Sequence, residues 1–359
     1  MSEAGIRSRE DAHLSSAALR QAWSDLSDRS AGRLRSRDAA ARLGVSEGEL
    51  IASLVGDSAT RLRTDGAAII REVPALGPVM ALTRNAHCVH EKIGPYLDVS
   101  IEAAHGLVLG ELIDLRLFPS RWHHTFAVID ETEDGPRRSL QVFDADGTAV
   151  HKIYQKPATD VAAFDRLISQ WRAEDQSPVL QPVAIAAPKA DRPDSEIDVE
   201  GLRRAWSALE DTHEFFGMLR KHGTGRLQAL RLAGPQFAQP VTTDSLARTL
   251  ETARDAATPI MVFVGNPGCI QIHSGPVTTL KRMGPWFNVL DPTFNLHLRE
   301  DAIASAWVVR KPTRDGDVTS LELFDKDGFC FAQLFGVRKP GKPELEAWRA
   351  VLAILPGLL

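Results

Sequence analysis

The sequence predicts an α+β protein made by tandem duplication, each half a large, mainly antiparallel β-sheet carrying helices. Three observations lead there: one register relates two long segments, both segments read as strands closing on hairpin turns, and helical periodicity flanks each copy. Cys88-Val89 aligns with Cys269-Ile270, Gly94-Pro95 with Gly275-Pro276, and Val108-Leu109 with Val289-Leu290. Leu115-Arg116-Leu117 aligns with Leu296-His297-Leu298, and SLQVFDADG (139–147) with SLELFDKDG (320–328). Every pair is separated by the same 181 positions. Chance similarity drifts in register, and this does not over roughly sixty residues, so a duplication is the economical reading.

The elements follow in chain order. The first residues, MSEAGIRSREDAHLSS, mix charges of both signs without an apolar run, so 1–19 is read as a tail and not a signal peptide. The first copy, 20–175, opens on LRQAWSDL and SRDAAARLGVSEGELIASL, both with helical spacing of apolar positions. HTFAVID then alternates in period two, EDG turns the chain, and SLQVF closes on DADG. FDRLISQWRAE ends the copy as a helix. Residues 176–200 mix Pro, Ala and Asp without periodicity and are the expected linker.

The second copy, 201–359, opens on VEGLRRAWSALEDTHEFFGMLRKH and GRLQALRLAG. AWVVRKP, RDGD and SLELFDKDG repeat the hairpin, and ELEAWRAVLAIL repeats the closing helix. Trp23 and Trp206 are 183 apart, whereas Arg37 and Arg226 are 189 apart, so the second copy is longer across EDTHEFFGMLRKHGT. A site specific to one half and an ordinary loop insertion both fit that divergence.

Composition bounds the function. A chain of 359 residues is long enough for about two domains, and 43% hydrophobic with 25% charged residues suits a folded soluble protein. The net charge of −5 argues against a general nucleic-acid binder, which needs a basic face. No apolar run reaches the ~18 to 20 residues that cross a bilayer. Three cysteines, Cys88, Cys269 and Cys330, with no CxxC among them, suit reduced thiols in a cytoplasm.

His213 is the first chemical signal. It reads either as a satisfied, half-buried histidine or as a single axial ligand to a haem iron. On a helix Gly217 shares its face, leaving room for a flat macrocycle, while Phe215 and Phe216 offer apolar surface. The GTG break at 223–225 then lets Arg226 begin a new helix. The other histidines do not form a metal set: His87 and His90 are three apart in a strand-like segment, and His123 and His124 are adjacent. HExxH, a zinc spacing, a phosphate loop, a dinucleotide fingerprint and a GxSxG elbow are all missing from the sequence. Arg310-Lys311-Pro312 and Arg338-Lys339-Pro340 leave two strands of the second copy. They read as solvated strand ends or as cations for two ligand carboxylates.

HEFFGMLRKHGTGRLQALR, CVHEKIG (88–94), IDLRLF (113–118), WVVRKPT (307–313) and FGVRKPG (335–341), in this order, resemble one family. It is that of the bacterial cytoplasmic haem-trafficking and haem-degrading proteins, the HemS/HmuS-type hemin transport factors, and the likeness runs over roughly residues 20 to 358. The resemblance implies one haem b in a cleft between the halves. His213 ligates the iron, Gly217 and Phe216 border the ring, and Arg226 comes near it. Arg116 reaches the opposite face from the first half, Lys311 and Arg338 hold the propionates, and His90 is an alternative first-half ligand. Many relatives carry Tyr where this chain has Phe335, which removes a phenol hydrogen bond. Glu214 and Phe216 stand where some have further histidines, leaving His222 as the other candidate on that helix. The implied role is a cytoplasmic protein that accepts haem from an inner-membrane importer and stores it or delivers it, for instance to a downstream haem oxygenase. The alternative is a haem-degrading enzyme using O₂ and a reductant, with Arg116 as the distal group. Neither nucleic acid nor an embedded membrane segment is expected.

Overall fold

Helix α1 (Ser16–Asp28) starts where Ser15 accepts the Ala18 N–H at 3.2 Å, inside the stretch expected to be a tail. The computed structural model describes residues 15–29, 34–102, 104–186, 190–338 and 341–357, so most of that tail, linker residues 187–189, Lys339 and Pro340 lie outside the described residues. Helices α2 (Ser36–Leu43), α3 (Glu47–Ala52), α4 (Gly66–Glu72) and α5 (Val161–Trp171) belong to the first repeat. Helices α6 (Val199–Ser207), α7 (Glu214–His222), α8 (Arg226–Ala233), α9 (Ser245–Asp255) and α10 (Glu346–Ala353) belong to the second.

The strands of the first repeat are β1 (Ala59–Leu62), β2 (Val79–Arg84), β3 (Cys88–Gly94), β4 (Val99–Ile101), β5 (Gly106–Leu109), β6 (Asp114–Leu117), β7 (His124–Thr132), β8 (Gly135–Phe143) and β9 (Ala149–Gln155). Those of the second are β10 (Ala238–Val241), β11 (Ile260–Asn266), β12 (Cys269–Gly275), β13 (Leu280–Met283), β14 (Trp286–Asp291), β15 (Phe294–Arg299), β16 (Ser305–Lys311), β17 (Val318–Phe324) and β18 (Cys330–Gly336). They build two nine-stranded sheets, ordered β1-β7-β8-β9-β2-β3-β15-β14-β13 and β10-β16-β17-β18-β11-β12-β6-β5-β4. All named pairings are antiparallel, as expected from the hairpin signals.

The sheets are not confined to one repeat each. Strands β4–β6 of the first repeat complete the second sheet through β6 on β12, where Arg116 lies opposite Ile270. Strands β13–β15 of the second repeat complete the first sheet through β15 on β3, where Leu296 lies opposite His90. The exchange is pinned at two corresponding turns. Asn85 Nδ2 donates to the Gly265 and Phe331 carbonyls, and Asn266 Nδ2 donates to the Arg84 and Val150 carbonyls.

Between the sheets lies an apolar core to which both repeats contribute, with Cys88 packed among Val262, Val264, Phe294 and Leu296. Burying apolar side chains of this size stabilises by about 1.5–3 kcal/mol each. A charged contact secures α3 to the first sheet. Glu47 meets Lys152 at 2.6 Å and also Arg84. Burial alone would raise the Glu47 pKa, but the two cations override it and hold the carboxyl at about 2. No helix among the described residues is long and apolar enough to cross a membrane.

The exchanged strands predict the behaviour of a nicked chain. Cleaving the exposed linker segment 181–186 with a protease should leave both fragments co-eluting at the size of the intact chain, separating only in denaturant. Separate elution without denaturant would show that the shared sheets do not hold the repeats together.

Candidate functional site

The second sheet has one face packed inward and one face only partly covered. Register places Lys311, Glu322, Phe335, Met261, Phe263, Ile270 and Arg116 on the same, outer face. Helices α6, α7 and α8 cover its β16–β17 end, with Leu202, Trp206, Phe215, Leu219 and Leu230 packed on Val309 and Phe324. Beyond that cover the face continues over half-buried Phe335, Met261, Phe263 and Ile270 to Arg116. The Phe263 and Phe335 rings meet edge to face at 4.9 Å. Arg116 is therefore a first-repeat side chain on a second-repeat surface, brought there by the strand exchange; its guanidinium bonds Asp114.

Helix α7 borders this surface. His213 is its N-cap residue, one position ahead of the first helical residue, and its side chain is 87% exposed. Asp211 Oδ1 accepts from the His213 backbone N–H at 2.8 Å and from ring Nδ1 at 2.6 Å. The backbone N–H chiefly, with the ring and the charge of Arg338 adding, holds the Asp211 carboxyl below its usual range. Arg338 is half-buried just past β18, and its charge acts on Asp211. Phe216 is 67% exposed, and a Cβ built on Gly217 would meet nothing within 4 Å. Phe215 differs from its neighbour and from expectation: it turns into the core against Trp206 at 4.7 Å and offers no free surface. At Gly223, with φ of 59°, the backbone takes the left-handed conformation that glycine favours, α7 stops, and Arg226 opens α8 as the sequence predicts.

Beneath α7 three charges meet. Glu322 accepts from Arg226 at 2.7 and 2.6 Å and from Lys311 at 2.9 Å, with no exposed carboxyl surface. The Phe215 ring lies over both cations, 5.2 Å from the Arg226 guanidinium carbon and 4.7 Å from Lys311 Nζ. Burial would raise the Glu322 pKa, yet Arg226 and Lys311 hold it far below the carboxylate range. Burial pushes the Lys311 pKa down despite Glu322, whereas Glu322 outweighs burial at Arg226 and raises it.

Two further expectations need correction. Lys311 is 3% exposed and bonded to Glu322, so it is not a free cation at a rim; it points to the outer face, but Phe215 of α7 covers it there. His90 is fully buried on the inward face of β3, 5.0 Å from the Phe294 ring, and burial pushes its pKa well below the histidine range. It cannot reach the outer face where His213 and Arg116 lie. His222, half-buried at the last turn of α7, is away from the N-cap. Sequence reasoning missed Glu322 and Asp211. The first had a signal, since Glu322 is the acid in SLELF where the other copy has Gln141.

Taken together, His213, Phe216, bare Gly217, the Phe263–Phe335 pair and Arg116 suit a flat, largely apolar group with a Lewis-acidic centre. The exposed imidazole offers a nitrogen lone pair, the glycine leaves the space open, and the sheet supplies apolar contact. Arg338 is a half-buried cation whose charge acts on Asp211. That is the chemistry of haem.

Comparison with known proteins points the same way. The profile of the haemin-degrading HemS.ChuX domain matches twice, at residues 44–171 and 223–355. Hemin transport protein HmuS of Yersinia pestis is 41% identical over 323 residues, covering 89% of this chain and 92% of that one. The structure of holo-PhuS, a heme-binding protein from Pseudomonas aeruginosa, is 52% identical and superposes with a TM-score of 0.94, covering 96% of this chain and all of that one. ChuS, described as an E. coli heme oxygenase, is 36% identical with a TM-score of 0.83, over 94% of this chain and 99% of its own.

The buried triad predicts a pH dependence. A carboxyl whose folded pKa is depressed contributes stability above its unfolded value near ~4.3 and loses it as pH falls toward the folded value. Glu322→Gln strands two buried cations and should cost about 3–5 kcal/mol at neutral pH. Urea unfolding at pH 7 and again near pH 3 checks this, and the gap between wild type and variant should narrow in acid. A gap that is independent of pH would mean that the triad is not ionised as described.

Proposed function

The chain belongs to the haemin-degrading HemS.ChuX family, and from that premise we propose that it binds one haem b on the outer face of the second sheet. Haem is its cargo. His213 is the axial ligand, and the observation that carries this reading is the Asp211 bond, which occupies Nδ1 and leaves Nε2 for the metal. Phe216 and the Phe263–Phe335 pair exclude water from the macrocycle, and Gly217 leaves room for it. Arg338 pairs with a propionate at the edge. Arg226 and Lys311 act one layer deeper: locked on Glu322, they fix α7 and α8 to the sheet and so set where His213 stands. The protein accepts haem in the cytoplasm from an inner-membrane importer and stores it or passes it on, to a haem oxygenase among others.

A second reading, degradation of the bound haem with O₂ and a reductant, is favoured by Arg116. It is a cation that the other repeat adds to the same face, beside its partner Asp114, where it can donate hydrogen bonds or hold water on the side away from His213. Bound haem supplies the iron and the oxidisable ring; Arg116 supplies charge and orientation.

Hemin titration followed by absorption spectroscopy tests the site. His213→Ala should keep weak binding through the apolar face while the Soret and charge-transfer bands shift, and added imidazole should partly restore them. Arg338→Ala should weaken binding about tenfold, the loss of one charge-assisted hydrogen bond. Wild-type spectra in His213→Ala would remove that residue from the iron. Ascorbate in air then separates the two roles, since a carrier keeps its Soret band and an enzyme loses it with turnover.

A further inference from the structure

Asp211 touches His213 twice through one oxygen, accepting the backbone N–H at 2.8 Å and the ring at 2.6 Å. An ionised carboxylate has no proton to give, so the ring must donate from Nδ1. Among the described residues the ring has no other hydrogen-bond partner. The contact is set by local sequence: DTH folds as a turn into α7, and Glu214 Oε2 accepts from the Glu210 and Asp211 N–H groups at 2.9 and 3.3 Å. Oδ1 is thereby aimed at the imidazole before any ligand arrives.

We infer that Asp211 is a positioning residue for the iron-binding imidazole, one that fixes its tautomer and gives it partial imidazolate character, so that bound haem is biased toward the ferric state. This rests on His213 being the ligand. The physical argument is general. A charge-assisted hydrogen bond from the far ring nitrogen raises the basicity of a ligating histidine, and hydrogen bonding to the axial ligand is one of the protein's levers on haem iron. A more basic ligand stabilises the higher charge on the metal. Neutral Asn could accept the same bond without its charge, and Ala could not accept it at all, so the two substitutions grade the effect.

A merely structural Asp211 would behave differently. Losing the turn would loosen the start of α7 and weaken haem affinity, yet a haem once bound through His213 would keep its iron–nitrogen bond unchanged. The test therefore reads the bond and the redox balance of the loaded full chain. Wild type, Asp211→Asn, Asp211→Ala and His213→Ala are loaded with hemin. Resonance Raman on the reduced proteins gives the iron–histidine stretch, and a redox titration gives the midpoint potential. Asp211→Ala should lower the stretching frequency and reduce the preference for ferric haem about tenfold, a rise of ~59 mV for one electron, with Asp211→Asn in between. If both variants keep the wild-type frequency and potential while His213→Ala changes the spectrum, the role given to Asp211 is wrong and the ligand stands. If His213→Ala itself keeps the wild-type bands, the ligand reading falls and the Asp211 role falls with it.

Discussion

The structure depends on one constraint: each nine-stranded sheet can be completed only by the other repeat. A sheet edge left open exposes a row of unpaired backbone donors and acceptors, and here the edges β3 and β12 are closed by β15 and β6 from the opposite half. The reciprocal clamps at Asn85 and Asn266 occur because duplication places the same turn on both sides of a pseudo-twofold axis. Everything at the candidate site inherits this. Arg116 faces His213's side of the sheet only because its strand crosses over, and the apolar strip between them spans strands of both repeats.

Duplication supplied two such outer faces, and they have diverged. At matching positions the first sheet carries Gln141 for Glu322, Tyr154 for Phe335, Leu82 for Phe263 and, from the other repeat, His297 for Arg116. Asp130 stands for Lys311, and an equivalent of the HEFF segment is missing from the sequence. Its buried charge cluster uses different positions, with Glu47 on a helix and Lys152 on a strand. The same device, a carboxylate shared by two cations under the helices, was reached twice: in the first repeat the acid is on a helix and both cations are on strands, whereas in the second the acid and Lys311 are on strands and Arg226 is on a helix. Such clusters rarely add net stability over an apolar core, but they fix relative position strongly, because any slip leaves a buried charge without a partner.

Much of this was legible in the sequence, and what was not has a physical reason. The repeat, the antiparallel strands, the break at Gly223 and the restart at Arg226 follow from register, period and glycine, all of which are local. The partner of a strand is not local. IDLRLF announces a strand and its inward face, but alternation is equally satisfied beside either copy, so the exchange could not be read. Lys311 was misjudged for a related cause, since RKP looks like an exposed strand end until α7 is laid across it. His90 was misjudged because CVHEKIG alternates without saying which face is inside. Asp211 went unseen because a hydrogen bond two residues along depends on side-chain rotamers, which no pattern encodes.

Strand exchange also has a consequence for how the protein is made. When β6 leaves the ribosome its neighbour β12 has not been synthesised, and roughly 150 residues must still be added, about ten to thirty seconds at ordinary elongation rates. During that interval β4–β6 have no sheet to join, and β3 offers an open edge. The nascent first half is then a natural client for a holding chaperone, and completion of both sheets waits for the end of translation.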